Sequence, residues 1–264
     1  MAVSARMQCN EAMRGFWRSR VDRVTVIRHT AYRGSRCTPL ERELRRVGLY
    51  DFAGSRWTFP SPFIPVLARS MRLDPSITCV GNVDAMVFGF YAEMKTALAL
   101  GARTALILED DVRFADDLAM VRSAIDALPP DFQEAHLSWL AHPLGRCEGT
   151  VSALPHVGGS WVVAGDRVRV RDSSATIYSR VGMERFVDIA ESALGPAGRG
   201  LVACDVTDYP DQLRDGGSHT LLALPLLARQ TIVGECMSAG GFVKHYIPFC
   251  RGRDVTAFGG GAGT

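Results

Sequence analysis

Along this chain, short apolar runs alternate with segments in which apolar residues recur every three or four positions, a pattern that predicts strands and helices taking turns. Arg23-Val-Thr-Val-Ile27 is a β-branched run and predicts a first buried strand, with a polar loop over residues 28–39. Leu40, Leu44 and Val47 then recur at helical spacing, and Gly48 is a suitable stop. Residues 50–66, which hold Trp57, Phe59 and Phe63 among three prolines, predict an irregular aromatic segment.

Residues 77–80 predict another strand, followed by a helix over residues 84–100 whose Val87, Phe90, Tyr91, Met94 and Leu98 form a packing face, closed by Gly101. Residues 104–108 are a compact apolar strand that ends abruptly in Glu109-Asp110-Asp111. Asp116 is placed to cap a helix that Pro129-Pro130 terminates. Further strands are predicted at residues 135–140, 160–164 and 175–178, the last before a helical pattern over residues 181–194, and a later apolar run covers residues 221–227. This order predicts an α/β fold: a mainly parallel sheet flanked by helices.

A length of 264 residues accommodates one such domain with a large core, over residues 23–252. Residues 1–22, with Arg6, Arg14, Arg18 and Arg20, form a basic N-terminal segment, read as a surface helix in preference to a targeting segment, and residues 253–264 a flexible glycine-rich tail. The net charge of +2 gives no reason to expect a nucleic-acid partner. No run approaches the roughly 20 apolar residues of a membrane span, so no transmembrane segment is expected. Seven scattered cysteines read as a reduced, cytoplasmic protein, and Cys236, His245 and Cys250 match no zinc spacing.

The acidic triplet is the most informative chemistry. Ligands of open α/β sheets bind beyond the carboxyl ends of the strands, and hard carboxylate oxygens there suit magnesium or manganese together with diphosphate oxygens. If extension persists through the triplet, Glu109 and Asp111 point one way and Asp110 the other. The alternative is a solvated acidic turn that prepares the next helix.

Ala105-Leu-Ile-Leu-Glu-Asp-Asp-Val112, after an amphipathic helix and Gly101, resembles glycosyltransferase family 25, which includes lipopolysaccharide-biosynthesis and collagen hydroxylysine galactosyltransferases. Ala175-Thr-Ile-Tyr-Ser-Arg180 with Gly182, and Leu224-Pro-Leu226 with Gln230, extend the resemblance over roughly residues 23–232. It implies a GT-A-like nucleotide-sugar-binding fold, an inverting hexosyltransferase and usually Mn2+ (or Mg2+), with the triplet in the place of a DXD motif. The donor it implies is a nucleotide sugar, a UDP-sugar carrying galactose or glucose; the acceptor is a hydroxyl of a glycan, lipid-linked sugar or protein. Two departures stand out: Gly89-Phe90 occupies the place of a serine-histidine pair, and Arg28-His29-Thr30 replaces an asparagine-leucine-acid-arginine pattern.

Within that frame Glu109 and Asp111 are the metal candidates and Asp110 a donor-sugar or ribose contact. Arg28, His29 and Arg33 follow the first strand and can contact the donor diphosphate or nucleoside, although surface charge is the usual reading of any one of them. Asp208 is the candidate base, with Asp205 and Asp211 as competitors and a polar turn beside Pro210 as the plain reading. Tyr178 reads as core. Gly259-Gly-Gly-Ala-Gly263 lacks the following helix and Lys-Ser/Thr pair of a phosphate-binding loop. The rival reading from another class is a catalytically silent GT-A-like binding or interaction protein.

Overall fold

The computed structural model describes residues 2–29, 33–58, 82–143, 155–164, 168–171, 174–194 and 220–230. The strand expected at 77–80, Phe59, Phe63, Asp205, Asp208, Asp211, the Cys236-His245-Cys250 set and the 253–264 tail lie outside the described residues. The elements are α1 (Ala2–Arg20), β1 (Arg23–His29), α2 (Arg33–Arg46), β2 (Ala53–Thr58), α3 (Asn82–Ala99), β3 (Thr104–Glu109), β4 (Val112–Phe114), α4 (Leu118–Asp126), β5 (Glu134–His136) and β6 (Leu140–Pro143). They continue with β7 (His156–Gly158), β8 (Trp161–Val163), β9 (Val168–Arg171), β10 (Ala175–Ser179), α5 (Arg180–Leu194), β11 (Thr220–Ala223) and β12 (Ala228–Gln230).

Among the described residues, eight strands form one sheet in the order β2-β1-β3-β10-β5-β11-β8-β7. Following the parallel and antiparallel pairings across it, β2, β1, β3, β5, β11 and β7 run one way and β10 and β8 oppose them. The mainly parallel α/β arrangement is therefore present. Its apolar strands are buried on both faces, which is why β3 reads as a continuous apolar run. Leu106 and Leu108 join the core under α1, α2 and α4, while Ala105 and Ile107 join the core under α3 and α5.

Several local expectations are corrected. The loop expected over residues 28–39 is interrupted by α2, which begins at Arg33 and carries Pro39 inside it. Its buried Leu40 and Leu44, with Val47 just beyond, anchor the helix in the core and offset the hydrogen bond that proline removes. Gly48, at φ 76°, ends this stretch as expected. The aromatic segment expected to be irregular holds β2, held in parallel register by β1 from Val24↔Ala53 to His29↔Thr58. The strand expected over residues 135–140 is two strands, β5 and β6, and the apolar run at 221–227 breaks after Ala223, where Pro225 cannot donate to a ladder.

The cap of α4 is Asp117, not Asp116: the Asp117 side chain accepts from the Met120 N–H at 3.0 Å, whereas Asp116 accepts from the Arg113 guanidinium. Asp117→Ala is expected to cost about 1 kcal/mol. Asp116→Ala should cost less, because exposed ion pairs contribute little. Urea melts of the two variants check the ranking.

Candidate functional site

β3 lies between parallel β1 and antiparallel β10, with Ile27 paired to Glu109 and Ala175 to Leu108. Its last residue is Glu109, whose N–H donates to the Ser174 carbonyl at 2.9 Å. Asp110 and Asp111 then form a turn, so the alternation of an extended strand does not run through the triplet. Asp110 and Asp111 are nearly buried, 6% and 5% exposed, and Glu109 is half-buried. All three carboxylates thus sit where a buried strand leaves the sheet at its carboxyl edge.

The chain leaving this turn is tied down. Phe114 of β4 donates its N–H to Glu43 Oε1 at 2.8 Å, and its carbonyl accepts from Arg46 Nη2 at 2.9 Å. Burial alone would lower the Arg46 pKa, but the hydrogen bonds and charge of Glu43 and the charge of Asp116 raise it. The hydrogen bond from Arg113 holds the Asp116 carboxyl below its ordinary value. On its other side β4 pairs with β12, Val112 facing Gln230, and Leu227 and Ala228 donate to the Leu137 carbonyl at 2.9 and 3.0 Å. The triplet turn is therefore clamped between α2 and the segment after β5.

Arg28 and His29 are the final residues of β1 at the same carboxyl edge, and Arg33 opens α2 after a short connection. Alternation puts Arg28 on the face of Val24 and Val26, and Glu109 on the face of Ala105 and Ile107. The structure thus brings the β1 end and the triplet to one edge. Asp208 lies outside the described residues. Gly89 and Phe90 are buried in α3, Phe90 completely, so that position packs the core.

Among the described residues no three His, Cys, Asp or Glu side chains are grouped to hold a metal by themselves. A closed protein cage is not what a donor-linked ion requires: magnesium-type ions take one or two carboxylates and complete their shell with phosphate oxygens and water. Two aspartates and a glutamate at one strand end supply that hard oxygen set, so the residues present fit such an ion.

One polar group escaped the sequence reading. Glu134, His136, Thr176 and Thr220, all fully buried, share one face of β5, β10 and β11 through the pairs Thr176↔His136 and Thr220↔Glu134. Thr220 donates to Glu134 Oε1 at 2.9 Å, Thr176 Oγ1 is 3.2 Å from His136 Nδ1, and His136 Nε2 is 3.4 Å from Glu134 Oε1. Tyr178 completes this face as core: burial pushes its hydroxyl well above the ordinary value, with the charge of Glu134 adding to the effect. The signal available in the sequence was the spacing of Glu134 and His136, two apart in a strand.

No helix among the described residues is long and apolar enough to cross a membrane. No family model matches the chain, and no curated protein matches it. Among solved structures it is similar to a glycosyltransferase involved in the glycosylation of the major capsid of PBCV-1, at 10% identity and TM-score 0.45, over 84% of this chain and 99% of that one. It is similar to a mannose-1-phosphate geranyltransferase from Thermus thermophilus, at 15% identity and TM-score 0.38, over 76% and 73% of the two chains. A third similarity is to mouse xyloside xylosyltransferase 1, at 9% identity and TM-score 0.38, over 75% and 83%.

Proposed function

We propose that this chain is a glycosyltransferase with a GT-A-like fold that moves a hexose from a nucleotide-diphosphate donor to a hydroxyl acceptor, with inversion. The observation that carries the reading is the acidic triplet at the carboxyl end of β3, beside the parallel strand β1. Ligands of open α/β sheets occupy that crevice. Kinship with glycosyltransferase family 25, and galactose or glucose as the transferred sugar, belong to the same proposal.

Glu109 and Asp111 would hold Mn2+ or Mg2+, which when bound neutralises charge on the departing nucleoside diphosphate. Asp110 contacts the donor sugar or ribose. Arg28, His29 and Arg33 contact the donor diphosphate or nucleoside, where guanidinium groups form charge-assisted hydrogen bonds with phosphate oxygens. Asp208, or Asp205 or Asp211 in its place, accepts the acceptor hydroxyl's proton while the acceptor oxygen bonds to the anomeric carbon and the bond to the diphosphate breaks. The acceptor is a glycan, lipid-linked sugar or protein hydroxyl.

The second reading is a catalytically silent GT-A-like binding or interaction protein. The buried Phe90 favours it, since that position in the family resemblance carries a polar pair. A panel of nucleotide sugars with manganese, scored for binding and turnover, separates the two. Wild type is expected to bind and turn over at least one donor in a metal-dependent way, and Asp111→Asn to lose on the order of 100-fold in turnover. No binding of any nucleotide sugar overturns the proposal. Binding without turnover moves it to the silent reading, and binding indifferent to metal and to Asp111 removes the metal role.

A further inference from the structure

The sheet edge that carries the triplet also roots a separate two-stranded ribbon. β6 starts four residues after β5 ends, and β9 ends four residues before β10 starts. β5 and β10 are antiparallel neighbours, so the end of one and the start of the other lie together at the carboxyl edge. The root is adjacent to the triplet: Ser174, just before β10, accepts the Glu109 N–H, and the Leu137 N–H donates to the Ala175 carbonyl at 2.9 Å. The ribbon thus leaves the crevice on the β10–β5 side, while Arg28 and His29 end β1 on the other side of β3.

The ribbon's register sorts its positions by chemistry. Leu140 is paired with Arg171 and His142 with Arg169, while Ala141 is paired with Val170 and Pro143 with Val168. With a period of two, the positions 140, 142, 169 and 171 fall on one face and 141, 143, 168 and 170 on the other. The positions of one face therefore hold two arginines and a histidine, and those of the other are apolar. No Asp or Glu occurs within Leu140–Pro143 or Val168–Arg171. Two arginines two residues apart on a strand are spaced roughly 7 Å along it, a gap that a single phosphate or carboxylate bridges with hydrogen bonds to both guanidinium groups.

We propose that the β6–β9 ribbon is the acceptor subsite of the glycosyltransferase proposed above, and that the acceptor carries a phosphate or carboxylate read by Arg169 and Arg171, with His142 alongside. The segregation of charge accounts for both halves of the edge. Carboxylates hold the donor through a cation, and arginines on the far side of β3 select an anionic partner for the sugar.

The test uses the full chain with manganese and whichever donor the panel selects, and four acceptor probes: methyl glucoside, methyl glucuronide, glucose 6-phosphate and a farnesyl-diphosphate-linked glucose. The anionic probes are expected to have a KM at least about tenfold below that of methyl glucoside, and Arg169→Gln with Arg171→Gln to remove that preference. Arg→Lys at both positions should restore part of it, because charge is kept and the two-pronged geometry is lost. Donor affinity measured without acceptor should stay within about twofold of wild type in these variants. Preference for glucose 6-phosphate over the lipid-linked probe assigns a free phosphosugar, and the reverse assigns a lipid diphosphate.

Equal use of neutral and anionic probes overturns the proposal. So does a loss confined to donor affinity, which would mean that the arginines serve the triplet. If wild type binds no nucleotide sugar, the glycosyltransferase reading fails first, and the ribbon is then judged by direct calorimetric binding of glucose 6-phosphate. Binding lost in the arginine pair variant sustains an anion subsite; no binding to wild type ends it.

Discussion

Gly182→Ala is expected to destabilise the fold by at least about 3 kcal/mol, against the gain that helix propensity alone assigns to alanine. Gly182 is the third residue of α5, and a β-carbon built there would lie 2.7 Å from the carbonyl carbon of Gln133 and nearer still to its oxygen. That carbonyl cannot retreat: it accepts the Ser179 N–H at 2.9 Å, and Gln133 Oε1 accepts from Arg185 at 2.9 Å. Gln133 also leads directly into β5, so moving it would displace Glu134 and His136 from Thr220 and Thr176. Gly15 in α1 is the control, exposed and with nothing within 4 Å of a built β-carbon. Gly15→Ala should stabilise by about 1 kcal/mol. Denaturant melts of both variants give the answer, and a Gly182→Ala protein as stable as wild type would show that α5 does not sit against Gln133 in this way.

Gly182 also shows what kind of information the sequence carried. It lies in a segment from which the family expectation was drawn, yet its structural reason is a close approach between a helix start and the residue before a central strand. The central strands were legible because both their faces are buried: β3 is apolar from Ala105 to Leu108, β1 holds the β-branched run Val24-Thr-Val-Ile27 and β10 is mostly apolar, and such runs need no partner to reveal them. β2 was not, since Ala53-Gly-Ser-Arg-Trp-Thr58 is an edge strand whose polar residues look like loop, and only its pairing with β1 makes it a strand. The start of α2 was hidden by Pro39, and the cap of α4 by two adjacent aspartates of which only the second reaches an orphan N–H.

The candidate site divides in the same way. The triplet could be found because three acids after a buried strand break a local pattern. The way its side chains are shared between faces could not, because the strand stops at Glu109 and a turn replaces the alternation. The spacing of Glu134 and His136 puts them on one face, but two polar residues in a strand ordinarily mark a solvated face; register with β10 and β11 is what gathers them with Thr176 and Thr220 inside the protein. The same holds for the ribbon, where pairing with β6 sets Arg171 opposite Leu140 and Arg169 opposite His142.

Trp17→Ala is expected to cost about 3–5 kcal/mol, the range for removing a large aromatic side chain from a packed core. Trp17 is fully buried although it lies in the basic N-terminal segment, and Met13 and Phe16 enter the same core beside it. Its ring meets Phe16 at 5.5 Å and Phe114 at 5.9 Å, both edge-on, and its Nε1–H donates to the Val47 carbonyl at 2.9 Å. One side chain therefore joins α1, the end of the α2 region and β4. Trp17→Phe should cost about 1–3 kcal/mol, because much of the ring contact survives while the Val47 carbonyl loses its donor in a buried setting. The consequence reaches the candidate site, since Phe114 closes the strand that leaves the acidic turn. Faster hydrogen exchange at the Phe114 amide, which bonds to Glu43, is expected in Trp17→Ala before global unfolding. Urea melts and exchange rates on the same samples check both parts; a loss below about 1 kcal/mol with Phe114 protection unchanged would make α1 a covering helix with no hold on the triplet.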